Sequence, residues 1–306
     1  MQGGRRGEGG RINPSPRWGD EGVASTVGTI MALMVFMTLL SMFTNQYVPI
    51  WMEDNEAQHM NTVESQMGML KHGIDTQILV GQMGGATEMS VYSPITLGSE
   101  GVPMFAAPTQ GYLDILPDRG RSVVDFEIDA DPDPIVVNPI QITSSSSGSI
   151  AMEAPNRYYV QQILTYENDA IILKQGDGVV MKSIPQFIVR QEGSQFRASF
   201  TQVSLYGVNK SYSGTGTTGI HTSLIYSNST MYSVLTSNIT LTVTSNYASA
   251  WAAFFEDYLP RAGLTTADYE VTSTATQMTL ELEMARFSGI TINQAHFEIL
   301  MGEVGV

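Results

Sequence analysis

Apolar side chains run almost unbroken from Val23 to Met52, a stretch of 30 residues without one charged side chain. Its densest part, residues 23–44, reads VASTVGTIMALMVFMTLLSMFT. A helix needs about 20 mostly apolar residues to cross a hydrocarbon core of about 30 Å. No later stretch approaches that length. The pattern predicts one membrane-spanning helix near the start, with the bulk of the chain following on one side. From Glu53 the spacing changes. Met60, Val63, Met67, Leu70 and Ile74 recur at intervals of three and four, and Glu56, His59, Asn61, Glu64, Lys71 and Asp75 fill the other faces. That is the period of an amphipathic helix with a narrow apolar stripe. The two segments predict one long helix over about 23–79, bent at Pro49, which lacks a backbone donor, and ended by Gly81, Gly84 and Gly85. The stripe has two readings: docking on the chain's own outer domain, or packing between subunits. A bundle is densest near the bilayer, so the turns nearest the membrane are expected to pack between subunits and those from Leu70 onward on the domain.

After Gly85 the pattern shifts to short alternating runs between turn residues. Residues 90–93, 122–128, 185–190, 196–206, 239–244, 278–284 and 290–293 read as strands rich in Thr, Val, Ile and Tyr. Clean alternation fits strands with one buried and one wet face, and an all-β sandwich is the expected form. One helix interrupts it. Tyr247, Trp251, Phe254 and Tyr258 share a helical face suited to core packing, with Ser245 or Asn246 as its cap and Pro260 as its stop. The serine run at 144–149 reads as a flexible loop or internal boundary. No repeat marks a propeller or solenoid. The predicted class is α+β: a leader at 1–22, an apolar helix at 23–52, an amphipathic helix at 53–80 and a sandwich-like outer domain at 85–306.

Charge sets the expected orientation. Arg5, Arg6, Arg11 and Arg17 precede the span beside Glu8, Asp20 and Glu21, leaving 11 of the chain's 15 basic residues and 27 of its 30 acids behind it. Basic residues near a span stay in the cytoplasm while acids count for little. The N-terminus is therefore expected inside and the bulk outside, with Tyr47 and Trp51 as interfacial aromatics. The apolar run is too long for a secretory signal, and no small-residue cleavage site follows it. With no cysteine in the chain, thiol chemistry and disulfides are excluded, and the outer domain must rest on its core. The acidic balance argues against nucleic acid as a partner.

The sequence offers little catalytic chemistry. His59, His72, His221 and His296 are scattered without metal-binding spacing, and no cofactor is expected. Residues 214–219, GTGTTG, match a dinucleotide-loop pattern literally. A strand-like run follows where a helix is required, so the expectation is a glycine-rich hairpin loop. Asp125, Glu127, Asp129, Asp131 and Asp133 alternate on one strand face. They read as a solvated sheet edge, with calcium the alternative. Asn209, Asn228 and Asn238 open three glycosylation sequons.

Residues 20–34, DEGVASTVGTIMALM, resemble the start of archaeal type IV pilin-like proteins. That family carries a short basic leader, a small residue at the processing point and a long apolar helix that anchors the subunit or packs in a filament core. By position, Gly22 would precede the cut and Val23 would begin the mature chain. Glu21 stands where the family usually has Lys or Arg. Residues 203–207, the 214–219 loop and residues 245–255 also look like large archaeal surface proteins with this start. The resemblance implies a non-enzymatic surface protein, structural or adhesive. Its partners would be the lipid bilayer, further copies or other pilin-like subunits, and a surface glycan or protein ligand. The alternative reading is a single-pass receptor or binding module that does not assemble.

Overall fold

The computed structural model describes residues 20–84, 89–116, 123–130, 140–176, 178–233 and 235–302. The chain divides into two compact units, with the boundary between Pro49 and Ile50. The class is α+β: one long helix and a β-rich domain of three sheets, where a simple sandwich would have two.

Helix α1 spans Asp20–Gln82 and continues through Pro49. Of the three glycines expected to end it, Gly84 does so, at φ +74, where a residue without Cβ adopts the left-handed turn freely. Gly81 lies inside the helix instead. A Cβ there would stand 2.6 Å from the side chain of Leu224, so this glycine permits close approach to a strand. Helix α2, Ala248–Arg261, runs one residue past Pro260. It ends in a Schellman motif: Leu264 N–H donates to Leu259 C=O at 3.1 Å and Gly263 N–H to Pro260 C=O at 3.0 Å. Pro260 sits in the last turn and supplies one of the terminal acceptors.

The strands are β1 (Ser90–Thr96), β2 (Gly111–Leu116), β3 (Val123–Ala130), β4 (Ile140–Ser147), β5 (Ser149–Ala154), β6 (Gln162–Glu167), β7 (Ala170–Gln175) and β8 (Gly178–Ser183). They continue as β9 (Phe187–Glu192), β10 (Gln195–Gly207), β11 (Lys210–Gly214), β12 (Thr217–Tyr232), β13 (Ile239–Thr244), β14 (Tyr269–Ser273), β15 (Gln277–Leu282) and β16 (Phe287–Met301). The first sheet has the order β1-β12-β16-β10-β9, the second β11-β2-β5-β6-β7-β8, and the third β14-β15-β13-β3-β4. The pairing of β10 with β16 is parallel; the other pairings are antiparallel.

Two cores organise the second unit, and the long strands serve both. Phe196, Ala198 and Phe200 of β10 enter the core shared with α2 and the third sheet, whereas Val203 and Leu205 enter the core shared with α1 and the second sheet. The change from even to odd numbers means that the strand buries opposite faces at its two ends. On β16 the same switch separates Ile290 and Ile292 from Ala295, Phe297 and Ile299. Trp251, Tyr247 and Phe254 of the aromatic helix belong to the first of these cores.

Three loop expectations change. The serine run lies mostly within β4 and reaches the start of β5, with Gly148 at φ +114 between them. Serine suits a strand here because its hydroxyls meet buried acceptors: Ser146 Oγ donates to Asn168 Oδ1 at 2.7 Å and Ser144 Oγ to Gln202 Oε1 at 2.5 Å. The 214–219 segment is not a hairpin loop, since β11 pairs with β2 while β12 pairs with β1 and β16. It carries the chain from the second sheet to the first. Finally, β3 is not a sheet edge, because it lies between β13 and β4.

Candidate functional site

The first half of α1 is an exposed apolar rod. Val27, Met31, Met34, Phe36 and Leu39 all stand open. This part of the helix is long, apolar and unburied, which makes it a candidate membrane span by length and composition. Its polar side chains turn inward on their own backbone. Thr29 Oγ1 donates to Thr26 C=O at 2.8 Å, Thr38 Oγ1 to Met34 C=O at 2.7 Å, and Thr44 Oγ1 to Leu40 C=O at 2.7 Å. Asn45 Nδ2 reaches Ser41 C=O at 2.8 Å. Groups satisfied within the helix do not need water, the condition for residing in hydrocarbon.

The second half of α1 is built into the β domain. Met60, Val63, Met67, Leu70 and Ile74 are all buried, and Ile78 extends the row. They share one core with Ile95, Leu113, Ile150, Val203 and Phe297 of the first and second sheets. The stripe thus packs on the chain's own domain along its whole length, including the turns expected to face other subunits.

Polar residues assigned to the wet faces prove to be clamps. Glu56 is fully buried. Its carboxylate accepts from the consecutive amides of Arg157, Tyr158 and Tyr159 at 3.1, 2.8 and 2.7 Å and from Thr109 Oγ1 at 2.6 Å. Burial pushes this carboxyl upward, but the Thr109 hydroxyl and the three amides outweigh it and hold the group below its ordinary range. His59 Nε2 donates to Thr96 C=O at 2.9 Å, and burial lowers its pKa. Gln77 bridges to β12, donating to Thr222 Oγ1 at 2.9 Å and accepting from Leu224 N–H at 3.1 Å. Lys71 reaches Asp169 at 2.5 Å and Asp75 at 3.2 Å. A charged residue within one turn of an apolar stripe has no sequence mark that separates a clamp from a solvated charge.

The first sheet also presents an aromatic and histidine face. On β16, His296 lies between the rings of Tyr206 and Tyr226, with centroids at 5.3 and 5.2 Å. Tyr92 of β1 packs on His221 of β12 at 5.1 Å. Register places Tyr92, His221 and Leu300 in one row and Tyr226 opposite His296 in another. The tyrosines and Leu300 are exposed. Burial lowers the pKa of His296, favouring its neutral imidazole.

The remaining expected sites are dispersed. Gly22 and Val23 lie within α1, whereas the leader before Asp20 is outside the described residues. Asn209 is exposed between β10 and β11, and Asn228 is exposed on β12. Asn238 is held at both ends: Nδ2 donates to Glu281 at 2.7 Å and Oδ1 accepts from Met284 N–H at 3.0 Å. His72 is exposed and far in sequence from any histidine partner. Asp125 and Glu127 line an open hollow with Thr143, Ser144, Ser145 and Thr242. The side chain of Asp129, and Asp131 and Asp133 entirely, lie outside the described residues. Among the described residues no group of three or more histidines and acids is arranged to hold a metal.

No family model, curated protein or solved structure matches this chain.

Proposed function

We propose that this chain is a membrane-anchored surface protein of the archaeal type IV pilin-like class, structural or adhesive and without catalytic activity. The observation that carries the reading is the exposed, uncharged helical arm over residues 25–47, whose polar groups bond to its own backbone. Such a surface seeks lipid or the apolar helices of like subunits. The arm crosses the cell membrane once, with the arginine-bearing N-terminus in the cytoplasm and the β domain outside, in keeping with the basic residues ahead of it. Because the β domain itself covers the stripe from Met60 onward, contact between subunits falls to the arm before Pro49. Mass spectrometry of the mature N-terminus from native membranes tests this. A chain beginning at Val23 supports pilin-like export, and an intact leader removes it.

A second reading is favoured by the open Tyr206–His296–Tyr226 face: a single-pass binding module that presents this face to a surface glycan or protein. Rings that offer both an apolar plane and a polar edge suit recognition surfaces. A chain that stays monomeric in its membrane, retains its leader and loses partner binding on Tyr206→Ala would favour it over the first.

A further inference from the structure

At the far end of the first sheet from the tyrosine face, two arginines stand side by side. Arg190 of β9 and Arg197 of β10 are directly opposite in the antiparallel register. Like charges placed so destabilise a strand pair. One carboxylate is at hand: Arg197 Nη2 lies 3.2 Å from Glu192 Oε2. Arg190 has no ion pair among the described residues, and the Nε of Arg197 is buried without a hydrogen-bond partner. The adjacent row, by register, holds Ile188, Ser199 and Thr291. The register partner of Arg197 on β16 is Gly289, which adds no side chain to that row. These residues surround a solvent-connected cavity of about 300 Å³. On a chain of net charge −15 this is a local reversal of sign.

We propose that this cavity binds a small acidic sugar, one hydroxylated ring carrying a carboxylate. Two guanidinium groups match a planar carboxylate and its charge, and they relieve their own repulsion by sharing it. Ser199 and Thr291 supply hydroxyls that donate and accept, and Glu192 accepts from ring hydroxyls. Ile188, half exposed, offers an apolar surface to the ring's C–H face. The volume lies at the small end of ligand sites, which span about 300–1,000 Å³, and suits a single ring. Sulfate shares the anion chemistry but lacks the hydroxyls. The site belongs to the β domain and does not depend on how the chain is anchored.

The full chain in detergent, titrated calorimetrically at constant ionic strength with sodium glucuronate, glucose and sodium sulfate, tests the proposal. Glucuronate binds, glucose does not, and sulfate binds at least about tenfold more weakly, a difference of about 1.4 kcal/mol. Arg190→Gln, at an exposed position, lowers glucuronate affinity at least about tenfold with a thermal midpoint no lower than the wild type's, because the like-charge repulsion is gone, and Arg190→Lys restores part of the affinity. Arg197→Gln abolishes binding, with circular dichroism checking that the sheet remains intact. Absence of glucuronate binding, or binding unaltered in Arg190→Gln, overturns the site. Sulfate binding as tightly as glucuronate overturns the sugar assignment.

Discussion

Lys71 Nζ lies 2.5 Å from Asp169 Oδ1, joining α1 to the tip of the β6–β7 hairpin. Asn168 and Asp169 form its two-residue turn, both at positive φ, +41 and +65, as a primed turn demands. This turn is buried and acts as a junction. Asn168 Oδ1 accepts from Val203 N–H of β10 at 3.1 Å, and Asp169 Oδ2 accepts from Gln186 N–H at 2.8 Å. Just before the turn, Glu167 accepts from Trp251 Nε1 of α2 at 2.7 Å. One hairpin tip therefore ties both helices to the first sheet.

The junction gives stability a pH dependence. Burial pushes Asp169 up to about 7; Lys71 pulls it back in part, and Asp75 adds to the rise. A folded pKa above the unfolded one contributes stability that is fully present below the unfolded value, about 4, and is lost as pH rises through about 7. Glu56, lowered in the folded state, works oppositely: its contribution is present above its unfolded value and is lost in acid. His59 and His296, both lowered in the folded state, oppose the Asp169 effect by adding stability as pH rises. The Asp169 contribution is therefore read as a difference: in a fragment beginning at Ile50, the urea midpoint of Asp169→Asn should gain on that of the wild type between about pH 5 and about pH 8. A difference between the two that stays constant over this interval would contradict the account.

Glu56→Ala removes one carboxylate and strands three amides and a hydroxyl. Each unsatisfied buried group costs about 1–3 kcal/mol, so the loss should reach at least about 2 kcal/mol even if water enters. Glu64, half-exposed and paired with Lys182 at 2.9 Å, is the control: Glu64→Ala should cost under about 1 kcal/mol.

Leu70→Ala should destabilise the same fragment by about 2–5 kcal/mol, the range for emptying a core site. Met67→Glu should prevent folding, because a buried unpaired charge is costlier still. A fragment beginning at Met89 lacks the stripe and should aggregate. Recovery of that fragment as a soluble, cooperatively unfolding protein would show that α1 is dispensable to the core.

Leu33→Arg places a charge mid-span, where insertion costs about 2.5–3.5 kcal/mol. Membrane recovery of the variant should fall, measured by carbonate extraction. Undiminished recovery would mean that something other than this helix holds the chain.

Where the chain is glycosylated, peptide mapping should find sugar on Asn209 and Asn228 but not on Asn238. Its amide nitrogen already donates to Glu281, and Met284 N–H occupies its oxygen. Occupancy of Asn238 would require this loop to open before modification.

Periodicity and length alone determined the long helix, the aromatic helix and half of the sixteen strands among the described residues. Residues 239–244, read as a strand from alternation, are β13 to the residue. These features depend on side chains near in sequence, whose spacing of two or three to four decides which face is apolar. The apolar arm was legible for the same reason, since its length without charge needs no partner to be recognised.

Partnership was decided only by the tertiary structure. The spacing of Met60 to Ile74 demanded a cover without naming it, because any apolar surface satisfies a hydrophobic stripe. Glu56 and Lys71 looked like solvated charges until loops about 100 residues away brought amides and a carboxylate to them. Arg190 and Arg197 became neighbours through the pairing of β9 with β10. The 214–219 segment looked like a hairpin loop because its turn chemistry is local, while the sheets its strands join are not. Hydrogen bonds and ion pairs act between atoms a few ångströms apart, and a one-dimensional pattern holds no distance between residues far apart in the chain until the sheets have paired.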